Sequence, residues 1–258
     1  MIDLMMALAT ATAPAPIAPS GRWVVDYQKD MCIVSRPFGQ GDSNTMFAIK
    51  PSVSMDDNAQ TLFFVAPNVG DNGVRRGQAI VTLGPSGEQM KVSYVSTVPK
   101  GTKVRGYEMY ADAELTARLA QATAVSMKAG STELSFATGK IEPVLKALRT
   151  CNESLFRSWG VDPAAMAKAR DGVNPADWFM PGDYPAAALR RGTQGRSVIA
   201  VTVSNQGLAT ACRVVIKSDP DLDAQSCRSA MRKGRFETSS GTTDRYAILA
   251  VIWLLFDS

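Results

Sequence analysis

Hydrophobic and polar positions alternate in short runs through the first half of the chain and switch to helical spacing after it. Trp23, Val25 and Tyr27 alternate, Cys32-Ile33-Val34 follows, and Thr45–Ile49, Thr61–Val65, Ala79–Leu83, Met90–Val95 and Lys103–Met109 repeat the pattern. Between them stand Gly39-Gln40-Gly41-Asp42, Met55-Asp56-Asp57-Asn58, Gly70-Asp71-Asn72-Gly73 and Gly84-Pro85-Ser86-Gly87. Short strands separated by such turns predict an antiparallel β-sandwich or open barrel over residues 21–160. Leu115 and Leu119, four apart, mark a helical turn within Ala113–Ala122. A longer helix is predicted from Ile141 to Trp159, because positions 141, 145, 148, 155 and 159 fall on one stripe that also holds Cys151.

Residues 161–175 are small, polar and alanine-rich and read as a linker with a short helix. The pattern of residues 176–258 is helix, strand, strand, helix, strand. Tyr184-Pro185 opens a short helix to Arg190, Ser197–Ser204 and Ala209–Lys217 flank the hairpin turn Asn205-Gln206-Gly207, and Asp221 or Asp223 caps a helix to Lys233. Arg245–Phe256 is the last strand. The fold class is therefore α+β, with a β-rich unit carrying a C-terminal helix and a small unit of one main helix on three antiparallel strands.

Composition narrows the chemistry. The 258 residues include no histidine, which excludes Ser-His-Asp and Cys-His catalysis, histidine-ligated zinc and an imidazole pH switch. No Gly-x-Ser-x-Gly elbow, phosphate loop or calcium loop occurs. No catalytic residue, metal site or cofactor is expected, and the chain reads as a binding protein rather than an enzyme. Its 28 basic and 24 acidic residues split evenly, with 10 and 8 of them in residues 176–258, so no nucleic-acid footprint is expected. The cluster Arg228, Arg232, Lys233 and Arg235 fits a helix C-terminus, and Asp219, Asp221 and Asp223 fit a helix N-terminus better than a cation site. The four tryptophans, Trp23, Trp159, Trp178 and Trp253, read as buried packing residues.

Cys32, Cys151, Cys212 and Cys227 allow three pairings, or four buried free thiols. A boundary near residue 170 would favour Cys32–Cys151 and Cys212–Cys227, and with them an oxidising compartment. Residues 1–20 combine a short apolar run, Leu4–Ala13, with small-x-small triplets and prolines, and are expected to be an export signal or an Ala/Pro tail. No apolar stretch reaches the ~20 residues of a membrane span.

Residues 176–258 carry one ordered series. Asp183-Tyr184-Pro185, Ala188, Gly192, Gly195, Val198-x-x-Val201-x-Val203, Gly207, Ser218, Leu222-Asp223, Phe236 and a terminal strand holding Trp253 resemble the C-terminal domain of the TonB family. The resemblance covers about 80 of the 258 residues. It implies a periplasmic domain that grips an outer-membrane TonB-dependent transporter, or another envelope protein, by adding a short extended segment beside its last strand. The implied contacts are Tyr184, Pro185, Arg245, Tyr246, Ile248, Ala250 and Ile252. Three strands and one helix leave sheet edges unpaired, which is what strand addition requires. Departures from the family are Ser218-Asp219-Pro220 where Ser-Ser-Gly is usual, no proline after Phe236, and neither a membrane helix nor a long proline-rich spacer. The β-rich unit would supply a second binding surface. A periplasmic enzyme or small-ligand site in that unit is the alternative, and a homodimer through the C-terminal edge strand is a competing use of the same edge.

Overall fold

The computed structural model describes residues 15–28, 30–40, 45–51 and 59–255. Most of the export-like start and the turns at 41–42 and 55–58 lie outside the described residues. Among those described, nine strands form one antiparallel sheet: β1 (Val24–Tyr27), β2 (Cys32–Phe38), β3 (Thr45–Pro51), β4 (Gln60–Pro67), β5 (Arg75–Gly84), β6 (Glu88–Thr97), β7 (Val104–Ala111), β8 (Ala124–Ala129) and β9 (Thr132–Phe136). Their order is β1-β2-β3-β4-β7-β6-β5-β8-β9, and the sheet curls into a half-barrel. The gap between its edges is narrowed by residues 17–20. Ile17 N–H donates to Ser135 O at 2.7 Å and Ala137 N–H to Ile17 O at 2.9 Å, while Gly39 N–H donates to Ala18 O at 2.9 Å. One short segment thus satisfies groups on β9 and on the end of β2 that would otherwise be open sheet edge.

Phe38, Phe47, Phe64 and Phe136 are buried together inside the curl. Helix α1 (Ala113–Ala120) contributes Leu115 and Leu119, and α2 (Glu142–Ser158) contributes Val144, Leu148 and Cys151. A stripe of this kind directs one helical face to the core. Cys151 is disulfide-bonded to Cys32, which ties α2 to β2 across 119 residues of sequence.

The second sheet has the order β11-β10-β12, from β10 (Gly195–Val203), β11 (Ala209–Ile216) and β12 (Arg245–Trp253). Short α3 (Ala186–Arg190) precedes it, and α4 (Pro220–Lys233) packs on one face through Leu222 and Ala230. The helix starts at Asp219, whose carboxylate accepts Asp221 N–H at 3.0 Å, with Pro220 in the first turn. The cap is thus two residues earlier than Asp221, the nearer of the two caps that the sequence pattern indicates. A second disulfide, Cys212–Cys227, fastens β11 to α4. The opposite face of the sheet is covered by the end of α2 and the stretch that follows it: Phe156, Trp159, Val161 and Met166 pack on Val198, Ala200, Tyr246 and Ile248. Sequence alone gave no sign that the end of α2 and the stretch after it would serve as a third layer.

Asp223, one of the motif residues, holds β10 to the start of α4. Its carboxylate is 9% exposed and accepts Ser197 Oγ–H at 2.6 Å and Ser218 N–H at 3.0 Å. Asp223→Ala leaves both donors without an acceptor and is expected to lower stability by about 2–4 kcal/mol in urea unfolding. A change below about 1 kcal/mol would show that this carboxylate does not support the domain.

Candidate functional site

The candidate site grows from one edge of the second sheet. Strand β12 pairs with β10 over nine consecutive residues without a register shift, from Gly195↔Trp253 to Val203↔Arg245. Among the described residues its other side is engaged at its start only: Ala167 N–H donates to Tyr246 O at 2.7 Å. In an antiparallel ladder a residue's N–H and C=O point to the same side and alternate along the strand. Since Tyr246 faces away from β10, so do the backbone groups of Ile248, Ala250 and Ile252.

Burial divides that row. Ile248 is 2% exposed, Ala250 is half-buried and Ile252 is 60% exposed, followed by Leu254 at 48%. The accessible edge is therefore the last part of β12 and the residues just after it. The opposite edge, β11, is less suited to pairing with another strand, because its register with β10 shifts twice. Such irregularities interrupt the even row of donors and acceptors that an added strand needs.

Beside the open end of β12 lies an apolar groove of about 320 Å³, lined by Phe179, Met180, Pro181, Tyr184, Leu189, Ile252, Trp253, Leu254 and Leu255. Tyr184 forms its floor. Its ring stands edge-on to Trp253 with centroids 5.3 Å apart, and its hydroxyl donates to Thr193 O at 2.5 Å. Burial, helped by the negative charge of Asp219, pushes its phenol above the ordinary tyrosine value. Trp253 is itself 3% exposed and donates through Nε1 to Ser226 Oγ at 3.0 Å, so the groove rests on the domain core. Pro185 begins α3 and sets the chain direction away from Tyr184.

Asp183 fixes the groove's rim. It accepts from Lys233 Nζ at 2.5 Å, Arg232 at 2.9 Å and Met180 N–H at 2.9 Å. Burial alone would raise its pKa, but the Lys233 hydrogen bond, the Met180 amide and the two cations outweigh it and hold the carboxyl below the usual range. The same contacts place Arg232 and Lys233 in the last turn of α4, where the sequence pattern put them. Of the three clustered carboxylates, Asp219 caps α4, Asp221 pairs with Arg191 at 3.0 Å, and Asp223 accepts from the Ser197 and Ser218 donors.

The structure brings Tyr184 and Ile252 into one surface and leaves Ala250 beside it. Arg245 turns elsewhere: its guanidinium donates to Ser204 O at 3.3 Å and to Glu237 O, joining the hairpin to the approach of β12. Met180, Leu189 and Leu254 are not among the contacts that the sequence implies. They converge from three separate segments, and none carries a motif of its own.

A three-stranded antiparallel sheet backed by one long helix, with the Tyr-Pro turn set against the last strand, is the arrangement that the resemblance implies. Residues 181–252 match the Gram-negative bacterial TonB protein C-terminal family. No curated protein and no solved structure matches the chain. This part of the chain is similar to a non-catalytic envelope family whose members interact with outer-membrane transporters. The two disulfides fit an oxidising compartment. Among the described residues no helix is long and apolar enough to cross a membrane.

Proposed function

We propose that the TonB-like domain binds an extended segment of an outer-membrane transporter, or of another periplasm-facing envelope protein, as a fourth strand along Ala250–Leu254. The chain acts by binding and not by catalysis, in the periplasm. The observation that carries this reading is the alternation fixed at Tyr246, which leaves the backbone of Ala250 and Ile252 facing outward where the strand is accessible. Added main-chain hydrogen bonds supply affinity, and the groove at Tyr184 receives alternate side chains of the guest. Tyr184 and Ile252 are the side-chain contacts of this reading. Tyr246 and Ile248 support the edge from within, and Arg245 and Pro185 shape its ends.

Amide hydrogen exchange on the full chain tests it, with peptides taken from periplasm-facing segments of outer-membrane transporters. Saturating peptide is expected to slow exchange at Ala250 and Ile252 by at least about tenfold, as newly hydrogen-bonded amides do, and to leave Ala247 and Leu249 unchanged. Protection confined to β11, or absent from both strands, would remove strand addition at this edge. Protection that rises with protein concentration in the absence of peptide would instead reveal pairing of two copies through β12.

A further inference from the structure

The β-rich unit presents a second surface at one end of its half-barrel. The loop from Asn68 to Val74 crosses from β4 to β5, and the loop from Val98 to Lys103 joins β6 to β7. They lie side by side: Pro67 is opposite Val104, Arg75 opposite Ser96, and Asn68 N–H donates to Lys103 O at 2.8 Å.

The longer loop is held rigidly from below. Arg105 is 2% exposed, and its guanidinium donates to Asp71 O at 2.5 Å, Gly73 O at 3.0 Å, Asn68 Oδ1 at 3.1 Å and Ser96 Oγ at 3.2 Å. Asp71 closes the turn by accepting Gly73 N–H at 2.8 Å and Arg75 at 3.1 Å. Those contacts, the Gly73 amide first, hold its carboxyl below the ordinary value. A buried cation with its donors satisfied by loop carbonyls gives that loop one shape.

That fixed loop carries apolar side chains outward. Val69 is 85% exposed and Val74 57% exposed. Residues 68–76 and 97–105 hold five cations against the single carboxylate of Asp71: Arg105 buried beneath the loop, and Arg75, Arg76, Lys100 and Lys103 at the surface around the valines. The local excess of four equals the formal charge of the whole chain, +4, so the remainder of the molecule is neutral overall. The even split of charge between residues 1–175 and 176–258 conceals this concentration.

We infer that this end of the half-barrel docks on an anionic lipid surface, with Val69 and Val74 entering the interface and Arg76, Lys100 and Lys103 contacting headgroups. Exposed valines flanked by cations combine the two contributions that peripheral attachment uses, apolar burial and attraction to anionic lipid. An acidic protein partner would use the cations, but would have no need of two projecting valines on a clamped turn. The inference stands apart from strand addition, which involves the other sheet.

Cosedimentation of the full chain with phosphatidylcholine vesicles, with and without phosphatidylglycerol, tests it. Binding is expected only with phosphatidylglycerol, and is expected to fall at high salt. Lys100→Gln/Lys103→Gln should weaken it by about fivefold per lysine, and Val69→Ser/Val74→Ser by at least about tenfold, with thermal unfolding unchanged in both. Equal binding to neutral vesicles, no vesicle binding, or undiminished binding by the valine variant would overturn the proposal. Binding to polyglutamate without binding to vesicles would also overturn it, and would assign the surface to an acidic protein.

Discussion

Replacing Cys32 and Cys151 together with serine is expected to lower stability by about 5 kcal/mol, the loop-entropy value for a cross-link of this span. The bond closes 119 residues, almost the whole β-rich unit, and both cysteines are buried, at 2% and 0% exposure. The effect reaches beyond the first sheet. Helix α2 continues from Cys151 to Phe156 and Trp159, which cover the outer face of the second sheet. Loosening α2 from β2 therefore weakens the layer on which β12 rests. The change corresponds to a fall in Tm of roughly 10–20 °C for a chain of this size. The Cys212–Cys227 pair closes only 15 residues, and its serine variant is expected to lose about 3 kcal/mol. Thermal unfolding of the two double variants, beside wild type with and without reductant, measures both. Equal small shifts below about 1 kcal/mol would mean that neither bond constrains the unfolded chain. A large reductant-sensitive loss ties folding to an oxidising compartment.

The elements that were legible from sequence are those whose pattern is internal to one segment. The stripe 141, 145, 148, 155 and 159 identified α2, observed at Glu142–Ser158, and Asn205-Gln206-Gly207 marked the hairpin between β10 and β11. Strands β8 and β9 were hidden because Ala124-Val125-Ser126-Met127 is short and mixes small, polar and flexible apolar residues. The contribution of Ile17–Ser20 to sheet closure left no trace either, since it depends on backbone bonds to residues about 20 and 120 positions away. The domain-internal cysteine pairing could be read because the two units are nearly consecutive along the chain.

The same division holds for the site. Tyr184 and the last strand were available through an ordered series of motif residues, each tied to a local turn, cap or core position. Which part of β12 is open was not, because that is decided by Ala167, from a stretch that reads as a linker. Residues 166–169 bond to Tyr246 on one side and to the segment around Phe236 on the other. A partner on each side holds this stretch in place, so it limits the reach of an added strand toward the start of β12. The groove was equally invisible, since Met180, Leu189 and Leu254 are unremarkable until three segments meet.

Strand addition predicts a large effect from one backbone atom. Ile252→Pro is expected to weaken peptide binding by about 10–100-fold while leaving the fold intact, because it removes an outward N–H and places a ring against the incoming strand. Proline is tolerated where the lost donor faces away from the sheet, and Ile252 occupies such a position opposite Arg196. Val251→Pro supplies the contrast, since that residue faces β10 opposite Ser197 and its loss of N–H breaks the existing ladder. It should unfold the domain instead of only abolishing binding. Ile252→Thr keeps the N–H and the β-branched shape, so peptide affinity should stay within a few-fold of wild type. Fluorescence-anisotropy titration of a labelled transporter peptide, together with thermal unfolding of each variant, separates the three outcomes. If Ile252→Pro binds as wild type does, the guest is not held by the β12 backbone. If Ile252→Thr alone destroys binding, recognition lies in the groove's side chains and the open edge is incidental.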